Sequence, residues 1–228
     1  MKNRFDLVRE KISAAALRVG RDPGEVTLLA VSKRVSVAGI EKAIFAGQLL
    51  FGENYLQEAQ EKISAIEAEV QWHFTGHFQS NKAKQVAELF DAVETLDRLK
   101  VAQALENKLV QIRKIMPVYV QVNIGREKQK GGVLPEEAEA LVREVLQLPH
   151  VDFIGLMAMP PYFDEPEKSR PYFRELRLLA EALANKGLQG KSGKIGLSMG
   201  MSGDYEVAVE EGSTLVRVGT ALFGERAV

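Results

Sequence analysis

Eight short apolar runs of strand length recur between residues 26 and 218, each followed by a stretch with helical spacing. That alternation constrains the fold more than any other feature, because repeated strand–helix units build parallel sheets with helices outside them. The first run, Val26-Thr-Leu-Leu-Ala-Val-Ser-Lys33, follows the turn signal Asp22-Pro-Gly24. It is apolar on both faces until its last residues, as expected of a parallel strand covered on both sides. The other strands are read at 49–54, 70–75, 91–95, 117–123, 153–158, 194–198 and 214–218. Helices are read at 37–46, 55–67, 81–89, 99–113, from Pro135 onward, and at 169–185 and 205–210. An amphipathic helix over residues 3–19 precedes them all, with Gly20 and Asp22-Pro23 as its stop signals. The pattern predicts an α/β fold: a single (β/α)8 TIM barrel with an extra N-terminal helix, one domain over residues 1–228. A doubly wound open sheet is the alternative, but no glycine-rich dinucleotide fingerprint follows the first strand.

Composition removes several function classes. The chain of 228 residues has no cysteine, which excludes disulfides, thiolate nucleophiles and thiolate metal sites. Thirty Lys and Arg face 31 Asp and Glu, a net charge of −1, which argues against a nucleic-acid partner. No apolar run is long enough to span a membrane, and Met1-Lys-Asn-Arg-Phe-Asp6 lacks the apolar region of a signal peptide. A soluble, cytoplasmic monomer without a metal is expected.

The strand ends carry the chemistry. Alternation puts Leu29, Val31 and Lys33 on one face, so the Lys33 stem continues a buried stripe up to the rim where barrel active sites gather. Position alone leaves two readings: a lysine reaching past the strand into water, or an amine kept neutral enough to attack an aldehyde. Read together, the strand ends supply Lys33, Asn54, a region around His77, Asn123, Met157, Ser198 and Arg217. Leu215, Arg217 and Gly219 share a face, so a barrel-filling Leu215 turns Arg217 inward, where it must have a partner. Two segments near it are candidate anion sites, Ser198-Met-Gly-Met-Ser202 and Gly219-Thr220, each opening a helix. A lysine, an inward arginine and a late-strand anion site together suggest a phosphorylated aldehyde. Pyridoxal phosphate answers that description, with an arginine available for its ring nitrogen.

At this point the chain resembles a known family, the pyridoxal-phosphate homeostasis proteins, single-barrel relatives of the N-terminal domain of alanine racemase. The matching segments are Leu29-Ala-Val-Ser-Lys33, Phe51-Gly-Glu-Asn-Tyr55, His73-Phe-Thr-Gly-His-Phe-Gln-Ser-Asn-Lys82 and Val122-Asn-Ile-Gly-Arg-Glu127. They continue with Gly155-Leu-Met-Ala-Met159, Ser198-Met-Gly-Met-Ser-Gly-Asp204 and Val216-Arg-Val-Gly-Thr-Ala-Leu-Phe-Gly224. The resemblance implies that Lys33 carries pyridoxal 5′-phosphate as a Schiff base. It implies further that Arg217 faces the pyridine nitrogen, that Ser198, Gly219 and Thr220 hold the phosphate, and that Asn54 and Met199 lie beside the ring. One departure is His77-Phe78, where family members usually carry a less polar pair.

Other candidates have plainer readings. His73 and His77 could share a strand face as metal ligands, but no cysteine or third histidine lies near them. His150, after Pro149, reads as a surface loop residue, and Trp72 and Phe74 as packing. The charge-rich stretch Arg126-Glu-Lys-Gln-Lys130 has the composition of a solvated, mobile loop. The pairs Glu136-Glu137 and Glu210-Glu211 fall on helices and need no catalytic role. Two functional classes remain: a module that holds and delivers pyridoxal phosphate to apoenzymes, which the resemblance favours, and a racemase-like enzyme on amino acids. A lysine-dependent aldolase is a distant third. In alanine racemase, as the resemblance has it, a second domain and a partner subunit supply the tyrosine opposite the lysine. The chain reaches Val228 just after its last strand, so that domain is expected to be absent, leaving Tyr55 and Tyr205 as the tyrosines near the rim.

Overall fold

A computed structural model describes residues 1–224. Eight parallel strands close into a barrel in sequence order, β1 to β8, which settles the choice against an open sheet. They are β1 (Thr27–Val31), β2 (Leu50–Glu53), β3 (Gln71–Phe74), β4 (Ala92–Leu96), β5 (Met116–Val122), β6 (Val151–Ala158), β7 (Gly196–Ser198) and β8 (Leu215–Val218). The helices are α1 (Lys2–Arg18), α2 (Val37–Phe45), α3 (Leu56–Ala65), α4 (Ala83–Leu89), α5 (Leu99–Ile112), α6 (Ala138–Val145), α7 (Arg170–Asn185), α8 (Tyr205–Glu210) and α9 (Thr220–Phe223). The extra helix α1 packs against α8 and α9, where Phe5 meets Phe223 edge-on at 5.9 Å. Among the described residues no helix is long and apolar enough to cross a membrane.

Two apolar layers follow from the period of two along each strand. Outward strand residues such as Phe51, Trp72 and Phe74 join the helices, and Phe90 at the end of α4, in one continuous core. Phe74 lies 4.9 Å from Phe90 and Phe51 5.3 Å from Trp72, centroid to centroid, so these aromatics are packing residues. Inward residues Leu29, Leu50, Tyr119, Met157 and Leu215 form a separate, smaller cluster inside the barrel. Tyr119 fills the space beside Gly155 and leaves no room there for a side chain. A Cβ at Gly155 would stand 2.7 Å from its ring and 2.2 Å from the Gly196 carbonyl oxygen.

Expected and observed elements agree in type throughout and differ at their ends. β1 stops at Val31, two residues before Lys33; the Ser32 N–H still donates to the Gly52 carbonyl at 2.9 Å, and its hydroxyl turns outward to the Glu53 carboxylate at 2.6 Å. Lys33 therefore sits in a turn, next to Arg34 at φ 60°. β7 is only three residues long. The loop after β5, expected to be mobile, is tied down. The Asn123 amide donates to the Glu127 carbonyl at 2.9 Å, Gln121 donates to the Gly131 carbonyl at 3.0 Å, and Lys130 reaches the Pro160 carbonyl at 2.8 Å.

Candidate functional site

The C-terminal ends of the strands enclose a cavity of about 240 Å³. Lys33 from the turn after β1, Asn54 after β2, and Arg217 and Gly219 from β8 all line it. Thr75 also lines it and donates to Asn54 Oδ1 at 2.9 Å, which fixes the amide's orientation. Val31, Met157 and Met159, with Pro161, Tyr162 and Phe163 from the loop after β6, form an apolar wall, and Met201, Ser202, Gly203 and Asp204 line the side that follows β7. Phe163 is braced by stacking on Tyr172 at 5.8 Å.

Arg217 is 5% exposed and its side chain is bound on every side shown by neutral oxygens. It donates to the Ser198 carbonyl and hydroxyl oxygens at 2.6 Å each, and to the Ala158 carbonyl at 3.0 Å. Burial pulls its pKa below the usual value, while Glu94, Asp204 and Tyr119 pull the other way. Arginine still keeps its charge, so the barrel carries a fixed cation that can only donate. Glu94, fully buried on β4, is itself bonded to His73 Nδ1 at 2.7 Å. The two histidines thus part company: His73 faces the barrel interior, while His77 is exposed and packs on Gly131. Among the described residues no group of three His, Cys, Asp or Glu is placed to hold a metal ion. His150, expected in a surface loop, bonds Glu106 through its ring at 2.9 Å.

The segment over residues 198–202 reaches the cavity through a serine other than the one singled out from the sequence. Ser198 is fully buried, its hydroxyl committed to Arg217, and Met199 is fully buried in the outer core. Thr220 is exposed and opens α9 one residue past the cavity wall. Ser202 is the serine that lines the cavity. Its oxygen accepts from the backbone N–H of Gly219 at 3.2 Å and of Ala221 at 3.3 Å. Two donors on the oxygen leave the hydroxyl hydrogen for an acceptor in the cavity. The turn depends on Gly200, at φ 94°, where a Cβ would come within 2.5 Å of Ala208 Cβ. Next to Ser202, a Cβ on Gly203 would meet nothing within 4 Å, so this side of the cavity is open.

The tyrosines also fall differently. Tyr205 is 5% exposed, in the outer core, and Tyr55 is not part of the cavity wall shown. Tyr162, not singled out in the sequence, lies on the wall and is 87% exposed.

Fold and site define a barrel with a lysine, a buried arginine and a serine–glycine turn around one cavity, and comparison places that combination in a known class. Residues 7–227 match the family model described as alanine racemase, N-terminal domain. The chain is 44% identical over 225 residues to the pyridoxal phosphate homeostasis protein of Escherichia coli (strain K12), covering 96% of this chain and 94% of that one. The structure of PipY of Synechococcus elongatus PCC7942 with PLP bound superposes with a TM-score of 0.82 at 33% identity, covering 95% of this chain and 100% of that one. Alanine racemase of Clostridium difficile 630 shares the fold, with a TM-score of 0.72 at 14% identity over 96% of this chain and 60% of that one. The chain belongs to the pyridoxal phosphate homeostasis protein family, within the alanine racemase N-terminal class of barrels.

Proposed function

We propose that the protein binds pyridoxal 5′-phosphate in this cavity, covalently through Lys33, and holds it for delivery to apoenzymes. One observation carries the reading: Lys33 and Arg217 line the same cavity as the Ser202–Gly219 turn. Their donor chemistry fits the ligand at three separate points, with an amine for the aldehyde, a guanidinium for the ring nitrogen, and a hydroxyl at a helix start for the phosphate. When bound, the cofactor supplies an aldehyde and a ring able to draw electrons from a carbon attached to it. Lys33 Nζ attacks the aldehyde carbon, a C=N bond forms, and the aldehyde oxygen leaves as water. Ser202, Gly219 and the start of α9 at Thr220 hold the phosphate, and Asn54 borders the ring. Ser198 acts on Arg217, fixing its guanidinium.

The same residues disfavour efficient racemisation. Arg217 can only donate, so the ring nitrogen it faces stays unprotonated and the ring is a weak electron sink. Racemisation also needs acid–base groups on both faces of the substrate. Tyr162 is the tyrosine on the wall, and at 87% exposure it lacks the buried packing that holds a catalytic group in place. The test incubates loaded protein separately with L-alanine and with an apoenzyme that requires the cofactor. Activation of the apoenzyme with negligible chiral turnover supports the carrier. Turnover at ordinary enzyme rates of roughly 1 per second or more, without transfer, contradicts it.

A further inference from the structure

Behind the Lys33 turn lies a buried charge cluster with no part in the cavity. Lys62 of α3 is 5% exposed, and its ammonium sits between two carboxylates, 2.7 Å from Glu53 and 2.6 Å from Glu58. Glu53, at the end of β2, is fully buried. Burial pushes its carboxyl pKa up, against the pull of Lys62 and Ser32. Among the described residues its Oε2 has no hydrogen-bond partner. Such a cluster is a poor stabiliser, since desolvating the charges costs about as much as their attraction returns. A fold that only needed to join α3 to the barrel could do so with apolar residues.

What the cluster touches is specific. Lys62 donates to the Ser32 carbonyl at 2.7 Å, and Glu53 accepts from the Ser32 hydroxyl at 2.6 Å. Glu58 accepts from the backbone N–H of Arg34. The residues on either side of Lys33 are therefore both tied to one network. Arg34 is held at φ 60°, a left-handed conformation unfavourable for a side chain of its size. We propose that Glu53, Lys62 and Glu58 are positioning residues that clamp Ser32 and Arg34 and so aim the Lys33 amine into the cavity. The inference rests on the Lys33 reading above, and it makes Lys62 a buried lysine that does not take the cofactor.

Glu58 gives the cleanest test, because its side chain is 25% exposed and its loss leaves Lys62 still paired with Glu53. Three readouts are compared in the full chain: amide hydrogen exchange at Arg34 without ligand, affinity for pyridoxamine phosphate, and the equilibrium for the borohydride-fixable adduct with pyridoxal phosphate. Pyridoxamine phosphate has no aldehyde and reports cavity binding alone. Glu58→Ala should speed Arg34 exchange and weaken adduct formation about tenfold, the scale of one charge-assisted hydrogen bond. It should leave pyridoxamine phosphate affinity within about twofold. Glu58→Gln, which keeps an acceptor for the Arg34 N–H, should restore much of both losses. Equal weakening of both ligands, or no change in Arg34 exchange and adduct formation, overturns the proposal. Lys62→Met, if it folds, should show the larger selective loss, and a fold failure leaves the Glu58 pair to decide. An adduct mapped away from Lys33 in the unmutated protein also overturns it, and Arg34 exchange, which needs no ligand, distinguishes that failure from failure of the clamp.

Discussion

One guanidinium nitrogen of Arg217 donates to both the carbonyl and the hydroxyl oxygen of Ser198, each at 2.6 Å. This ties β8 to β7 by a side chain and leaves the cation facing the cavity with no carboxylate in direct contact among the described residues. A protonated ring nitrogen beside it would set two cations against each other. Nitrogen-15 NMR of labelled cofactor should therefore show an unprotonated ring, and Arg217→Glu should shift it to the protonated form. A protonated ring in the unmutated protein contradicts the assignment.

Ser202 should discriminate the phosphate. With its oxygen already accepting from Gly219 and Ala221, its hydrogen is available to an anionic oxygen. Ser202→Ala should weaken pyridoxal phosphate binding about tenfold, as expected for a hydrogen bond to a charged group, while barely changing that of unphosphorylated pyridoxal. A titration with both ligands checks this, and equal losses would count against it.

Gly155→Ala should destabilise the barrel. The added Cβ would lie 2.2 Å from the Gly196 carbonyl oxygen and 2.7 Å from the Tyr119 ring, and a backbone carbonyl in a closed barrel cannot swing away. A loss of about 1–3 kcal/mol, or more, is expected from overpacking of this kind. Urea denaturation measures it, and Gly155→Ala with Tyr119→Phe should not recover it, because the carbonyl clash remains.

The strands, the barrel, Lys33 and the inward Arg217 were legible in the sequence because each follows from a period of two or from a strand end. Ser198, read from its segment as a phosphate ligand, obeys the same rule: it pairs with Met157 and Leu215, both inward, and its hydroxyl meets Arg217. Ser202 and Tyr162 lie in loops, where no periodicity assigns a direction. The Glu53–Lys62–Glu58 cluster was invisible for another reason. Its members look like ordinary residues of a strand end and a helix, and only the packing of α3 on the barrel buries them together.

Stability should fall at alkaline pH. Burial first, and Glu206 second, raise the Tyr205 hydroxyl from about 10 to about 12, and Tyr119 is raised further, chiefly by burial. A folded-state pKa above the unfolded one means the folded chain holds its proton longer. The contribution is complete below about pH 10 and is lost as pH rises toward 12. Urea midpoints across that range should decline, and less steeply in Tyr205→Phe. Midpoints independent of pH in this window would contradict the burial argument.

The central claim is that Lys33 is the amine that takes the cofactor, and mapping the borohydride-reduced adduct tests it most directly. The protein loaded with pyridoxal phosphate should be yellow, and peptide mapping after reduction should find the phosphopyridoxyl group on Lys33. Lys33→Ala should abolish the absorbance with far-UV circular dichroism unchanged. Recovery of the label on another lysine, such as Lys62 or Lys82, or an unchanged spectrum in Lys33→Ala, would contradict the account.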